Sequence, residues 1–186
     1  MIPGGLYNMK STRKLILAAL FLALGYVLPF FTGQIPAVGK MLLPMHIPVL
    51  LCGFVCGWQY GLMVGFVVPI FRSMLAGMPV MMPAAVGMAF ELAAYGVISG
   101  ILYRKLPRKP ISIYATLVCA MLGGRVVWGI ASILLYGIQG NVFSWQMFLG
   151  GALLNAIPGI VVQLVLIPII VTILEKAGLM DEAKDC

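Results

Sequence analysis

Charge is scarce in this 186-residue chain: Asp, Glu, Lys and Arg together make up 9% of it, and only five residues are acidic. A soluble domain carries about 25% charged residues. With so little charge the chain cannot cover a water-facing surface. The apolar excess, 62% of residues with a mean hydropathy of +1.10, must face lipid. An integral membrane protein is expected, and a secreted disulfide scaffold, a nucleic-acid binder and a disordered chain are excluded. Histidine is rarer still. His46 is the only one, which removes any His-based metal site or zinc-protease motif. There is no Gly-x-Ser-x-Gly elbow and no Walker loop, so neither nucleophilic catalysis nor ATP hydrolysis is expected. Cysteine is limited to Cys52, Cys56, Cys119 and Cys186. Cys52 and Cys56 lie in an apolar run with no second pair at metal spacing, and read as small membrane-embedded side chains. No cofactor and no metal are expected.

What the sequence has in abundance is long apolar runs. A spanning helix needs about 20 apolar residues, with about 17 possible. The runs fall at 15–31, 43–57, 61–76, 84–103, 113–137 and 147–174. The expected fold is all-α: six transmembrane helices in one compact bundle, a single membrane domain over 1–186. The second and third runs are short and separated only by Trp58, Gln59 and Tyr60. Gly57 and Gly61 bracket that tripeptide and suit a tight turn. One long broken helix and a re-entrant pair are the alternatives. The first run lacks a small-residue cleavage site and is expected to be a span rather than a cleaved leader.

The net charge of +7 sets orientation. Lys10, Arg13 and Lys14 precede the first run, and Arg104, Lys105, Arg108 and Lys109 separate the fourth from the fifth. Cytoplasmic loops collect Lys and Arg, so both clusters, and with six spans both termini, are expected in the cytoplasm. The opposite side then holds the connections 32–42, 77–83 and 139–145. The second reads Gly-Met-Pro-Val-Met-Met-Pro. It is either a helix end dipping into lipid or a lid whose Met side chains repack around a ligand. Tyr136 and Trp145 suit an interfacial belt. The two halves show no repeat that would suggest an inverted-repeat transporter.

Ionic side chains inside a bilayer cost about 2.5–3.5 kcal/mol each at the centre and mark function by default. Arg72, Glu91 and Arg125 are the three that interrupt the runs. A helical rise of about 1.5 Å per residue places Glu91 about 10 Å, Arg125 about 18 Å and the polar Asn155 about 12 Å below the outer face. Arg72 lies one turn short of that face and His46 begins the second run there. Five residues from five runs thus fall in the outer half or near mid-membrane, which points to one outward-facing polar pocket. Tyr95 and Trp128, about one turn after Glu91 and Arg125, share faces with those charges and offer flat walls. With Glu91 paired to one Arg, the other remains for an anionic group such as a carboxylate. Each residue also has a structural reading. Glu91 and Arg125 could be only an ion pair fixing helix register, Arg72 could snorkel to headgroups, and His46 could be an ordinary interfacial residue.

Small residues form a second pattern. Gly53, Gly57, Gly61 and Gly65 repeat every fourth position, as close packing inside a bundle requires. Ala19 and Ala23 form a small-xxx-small pair on the first run, where another membrane protein could dock.

These features together resemble a substrate-binding S component of an energy-coupling factor (ECF) transporter. The resemblance rests on the length, the six runs, Ala19-x-x-x-Ala23, the segment Met45-His46-Ile47-Pro48-Val49-Leu50-Leu51-Cys52-Gly53-Phe54, the glycine series and Glu91-Leu-Ala-Ala-Tyr-Gly96. It implies high-affinity capture of a vitamin or related micronutrient, with a membrane T subunit and two cytosolic ATPases as partners. It further implies that Ala19 and Ala23 face the T subunit, that the pocket lies among spans 4–6 on the outer side, and that the bundle topples during transport. A bacterial or archaeal cell membrane follows as the location. Met-His-Ile-Pro looks closest to the pantothenate-type branch, and the surplus positive charge favours a carboxylate. Pyridoxine-type, thiamine-precursor and queuosine-precursor ligands are the alternatives. The substrate-binding set expected is His46, Arg72, Glu91, Tyr95, Arg125, Trp128 and Asn155. Two other functions compete: a stand-alone transporter with Glu91 as proton carrier, and an intramembrane enzyme with Glu91 and His46 as acid and base. The enzyme ranks last, because their starting depths differ by about 10 Å.

Overall fold

The computed structural model describes residues 4–31, 43–107, 109–142, 144–152, 156–178 and 180. Among these residues there are seven α-helices and no strand. They are α1 (Gly4–Phe31), α2 (His46–Cys56), α3 (Trp58–Ala76), α4 (Val86–Lys105), α5 (Pro110–Ile138), α6 (Trp145–Ala152) and α7 (Ile157–Lys176). Five stretches are long and apolar enough to cross a membrane: Thr12–Phe31, Trp58–Ala76, Met81–Lys105, Pro110–Ile138 and Ile157–Lys176. The expected second span is different. α2 has 11 residues, about 16 Å of helix, and every one of them is buried within the bundle.

The break between α2 and α3 is the single residue Gly57, not the tripeptide Trp58–Tyr60, which already belongs to α3. Gly57 has φ +98°, a backbone that side chains rarely adopt, and a Cβ there would also collide with the Arg104 guanidinium. The chain reverses at this point, as the contacts with α4 show. Going down α4, the pairs are His46 with Tyr95, Gly53 with Gly96 and Ser99, and Gly57 with Arg104. Going up α3, Trp58 meets Gly100, Gly61 meets Gly96 and Gly65 meets Leu92. α2 therefore runs parallel to α4 and α3 antiparallel to it. The two form a hairpin that grips α4, and a continuous broken helix does not fit.

Glycine makes that grip possible. A Cβ on Gly96 would lie 2.2 Å from the Gly61 carbonyl oxygen, and one on Gly65 would lie 2.4 Å from that of Leu92. The backbones touch, so van der Waals packing replaces the hydrophobic force that lipid cannot supply. Gly53, Gly61 and Gly65 thus serve packing inside the bundle.

α3 ends on Gly77, whose left-handed backbone sends its N–H to the Ser73 carbonyl. The connection between α3 and α4 is shorter than the expected 77–83, because a π-type turn over Met81–Ala85 already leads into α4. The expected sixth span, 147–174, is in two pieces, α6 and α7. At the opposite end, Arg104 donates to the Cys56 carbonyl at 3.5 Å, placing positive charge at the α2 C-terminus. The Tyr103 hydroxyl donates to Glu175, joining α4 to α7 at this basic end. Phe54 packs edge-on to Tyr103 at the same level.

Candidate functional site

α4 and α5 lie antiparallel, and their facing surfaces carry the polar cluster. Glu91 is 2% exposed and its Oε1 is the focus. Arg125 of α5 approaches that oxygen at 2.9 Å through a terminal guanidinium nitrogen. The Tyr95 hydroxyl, one turn along α4, donates to the same oxygen at 3.0 Å. His46 Nε2 lies 3.7 Å away, close but outside hydrogen-bond range. The Tyr95 ring is held between the His46 ring, 5.3 Å between centroids, and Gly124, where a Cβ would lie 2.0 Å from the ring. Gly124 therefore lets Tyr95 lie flat on α5 beside Arg125.

The two ions differ in access. The Arg125 side chain keeps 13% of its surface and that of Glu91 only 3%, so Arg125 is the more exposed member of the pair. His46 is 1% exposed, and neither ring nitrogen has a hydrogen-bond partner among the described residues. A buried polar group left in that state costs about 1–3 kcal/mol. The cluster is thus electrically balanced at Glu91 and Arg125 and unsatisfied at His46.

One helical turn outward from Glu91, a Cβ on Gly87 would lie 3.6 Å from Trp128 Nε1, so Trp128 sits above the ion pair. Its ring stacks on Phe148 at 6.0 Å, and Phe148 stacks on Trp145 at 5.3 Å. Gly129 and Gly151 admit these rings, since a Cβ at either would collide with Phe148 or Trp128. The short helix α6 is laid across α5 by this stack. Trp145 is therefore part of an aromatic wall while remaining exposed.

The structure brings together His46, Glu91, Tyr95 and Arg125, with Trp128 above them. Arg72 goes elsewhere. It donates to the Tyr26 carbonyl of α1 at 3.0 Å and lies 4.9 Å from the Phe30 ring centroid. Its position near the outer end of α3 let it reach α1 rather than α4. The surplus positive charge expected in the pocket is consequently spent on helix packing. His46 also departs from expectation. A full-length second span would put it at the outer face. α2 is short, starts well inside the bundle, and delivers His46 to Glu91. The depth objection to an acid–base pair of these two residues therefore fails.

Asn155 lies outside the described residues. Ala19 and Ala23 are exposed on α1, on a face continuous with exposed Leu15, Ile16, Leu20 and Val27. Sequence reasoning missed Gln163 on α7, which is 1% exposed with its amide nitrogen unpartnered. The signal was available: Gln163 is the one amide in the run 157–174. It also missed Phe148, whose stacking role depends on α6 being an element distinct from α7, which hydropathy does not mark.

No group of three or more His, Cys, Asp or Glu residues that could hold a metal ion occurs among the described residues. No curated protein and no solved structure matches the chain. A family model does: the ECF transporter, substrate-specific component, matches residues 13–171, from the start of the first apolar helix to within a few residues of the end of α7. The membrane helices, the balanced polar cluster and this match over most of the chain agree, and the chain belongs to the substrate-specific components of ECF transporters, multi-pass membrane subunits that bind a small molecule for transport and do not themselves hydrolyse ATP.

Proposed function

We propose that this chain captures a vitamin or related micronutrient from outside a bacterial or archaeal cell at the cluster of Glu91, Tyr95, Arg125 and His46. It then delivers the ligand with a T subunit and two ATPase subunits. The observation that carries this reading is the largely buried Glu91–Arg125 pair, with Arg125 its more exposed member. Arg has five N–H donors in a rigid fork. One edge serves Glu91 and the other receives a ligand carboxylate, which makes pantothenate the first choice. Trp128 and Phe148 supply the apolar wall that a small-molecule site requires. Pyridoxine-type, thiamine-precursor and queuosine-precursor compounds are the other ligands, and a predominance of stacking over ionic contacts would favour them.

The basic residues at the Arg104 end favour a cytoplasmic position for that end, with the Trp128 end outside. The exposed Ala19–Ala23 face of α1 is the T-subunit surface. Differential scanning of the purified chain with a vitamin panel tests the reading. A melting temperature raised by one vitamin supports it, since a ligand that binds only the folded state stabilises by mass action. No shift with any panel member contradicts it. Uptake by liposomes holding this chain alone would support an ion-coupled transporter instead.

A further inference from the structure

α7 contributes a buried polar group whose purpose packing does not explain. Gln163 shares the inward face of α7 with Gly159, Ile167 and Val171, all buried. Its side-chain nitrogen has no hydrogen-bond partner among the described residues, although the residue is 1% exposed. A Leu at this position would fill similar volume without the penalty of about 1–3 kcal/mol for an orphaned polar group. Polar groups within a membrane bundle are expensive and mark ligand pathways.

The height of Gln163 in the bundle follows from the helix registers. α7 begins at the end where α6 stacks on Trp128 and finishes at the Tyr103–Glu175 contact, so it runs in the same direction as α4. Glu91 precedes Tyr103 by twelve residues, and Gln163 precedes Glu175 by twelve. At about 1.5 Å per residue both lie about 18 Å from that shared contact. α7 packs on α2, which carries His46, and on α5, which carries Arg125. The orphaned nitrogens of His46 and Gln163 therefore belong to helices in contact, and Gln163 stands level with the ion pair.

We propose that Gln163 is a specificity-determining residue of the ligand site. Its amide donates to an uncharged acceptor on the ligand, a hydroxyl, amide carbonyl or ring nitrogen, while His46 meets a second neutral polar group. The ligand is thus recognised at two poles, an ionic one at Arg125 and an uncharged one at His46 and Gln163. A purely anionic molecule would leave the second pole unsatisfied. This inference rests on the ligand reading proposed above and adds to it the chemistry of the far end of the ligand.

The test uses the full chain in detergent, titrated with pantothenate, pyridoxine and thiamine, as wild type, Gln163→Leu and Gln163→Met. The expected result is that the wild type binds at least one of the three. Both variants then bind that compound about tenfold more weakly or worse, as loss of a buried hydrogen bond requires. Their ligand-free melting temperatures are expected to equal or exceed that of the wild type, because each removes an unsatisfied group. Unchanged affinity in both variants overturns this inference and leaves the ligand reading standing. A lowered ligand-free melting temperature in both also overturns it, since the amide would then be a structural partner. If the wild type binds none of the three compounds and no member of a wider panel that includes thiamine and queuosine precursors, the ligand reading and this inference fall together.

Discussion

Arg125, near the middle of α5, reaches Oε1 of Glu91 in the second turn of α4 at 2.9 Å. A pair in such a place is weak evidence for stability, because desolvation consumes much of the Coulombic gain. Breaking it is another matter. Glu91→Gln keeps the shape and removes the charge, leaving the guanidinium uncompensated. The expected loss is about 3 kcal/mol, seen as a lower melting temperature in detergent. Glu91→Gln combined with Arg125→Met is expected to recover much of that loss. Strictly additive effects would show that the two side chains do not depend on one another.

Arg72 is expected to act through α1 rather than through ligand. Its hydrogen bond to the Tyr26 carbonyl and its place over the Phe30 ring hold α1 against α3. A hydrogen bond from a charged group contributes about 1.5–3 kcal/mol. Arg72→Met should lower stability by about that amount and leave vitamin affinity within about twofold, by thermal denaturation and titration calorimetry. A large loss of affinity at unchanged stability would return Arg72 to the pocket.

The α3–α4 contact admits no side chain at Gly96. A Cβ there would lie 2.2 Å from the Gly61 oxygen, which is backbone and cannot swing aside. Overpacking of this kind costs about 1–3 kcal/mol and occasionally more. Gly96→Val is expected to reduce the yield of folded protein sharply. Gly137→Ala, where a Cβ meets nothing within 4 Å, is expected to have little effect. Equal tolerance at both positions would contradict the close backbone approach.

Ala19 and Ala23 are exposed and lie one turn apart on α1. Replacing either with Trp should leave vitamin binding by the isolated chain intact and impair uptake by the reconstituted transporter. Loss of binding and uptake together would deny the face a docking role.

Much of the fold was legible because its causes are local. Hydropathy marked the spanning helices, and the glycine series marked the close packing that Gly61 and Gly96 carry out. Glu91, Tyr95 and Arg125 were identified as a group because buried charge is costly enough to be noticed. Three features escaped. The depth of His46 depends on α2 being short and enclosed, and composition does not distinguish an apolar helix inside a bundle from one in lipid. The direction of Arg72 depends on which neighbour is nearer, a property of packing. Gln163 was overlooked because one amide in an apolar run looks unremarkable until its burial and its missing partner are known.

The central claim is that the Glu91–Arg125 cluster receives the ligand. It is tested most directly by titrating wild type and Arg125→Ala with pantothenate, with folding of both checked by thermal denaturation. The account expects a one-to-one complex for the wild type and an affinity at least about 100-fold weaker for the folded variant, the scale of a lost charge-assisted contact. Equal affinity in the two proteins would contradict it, leaving Arg125 as a partner for Glu91 alone.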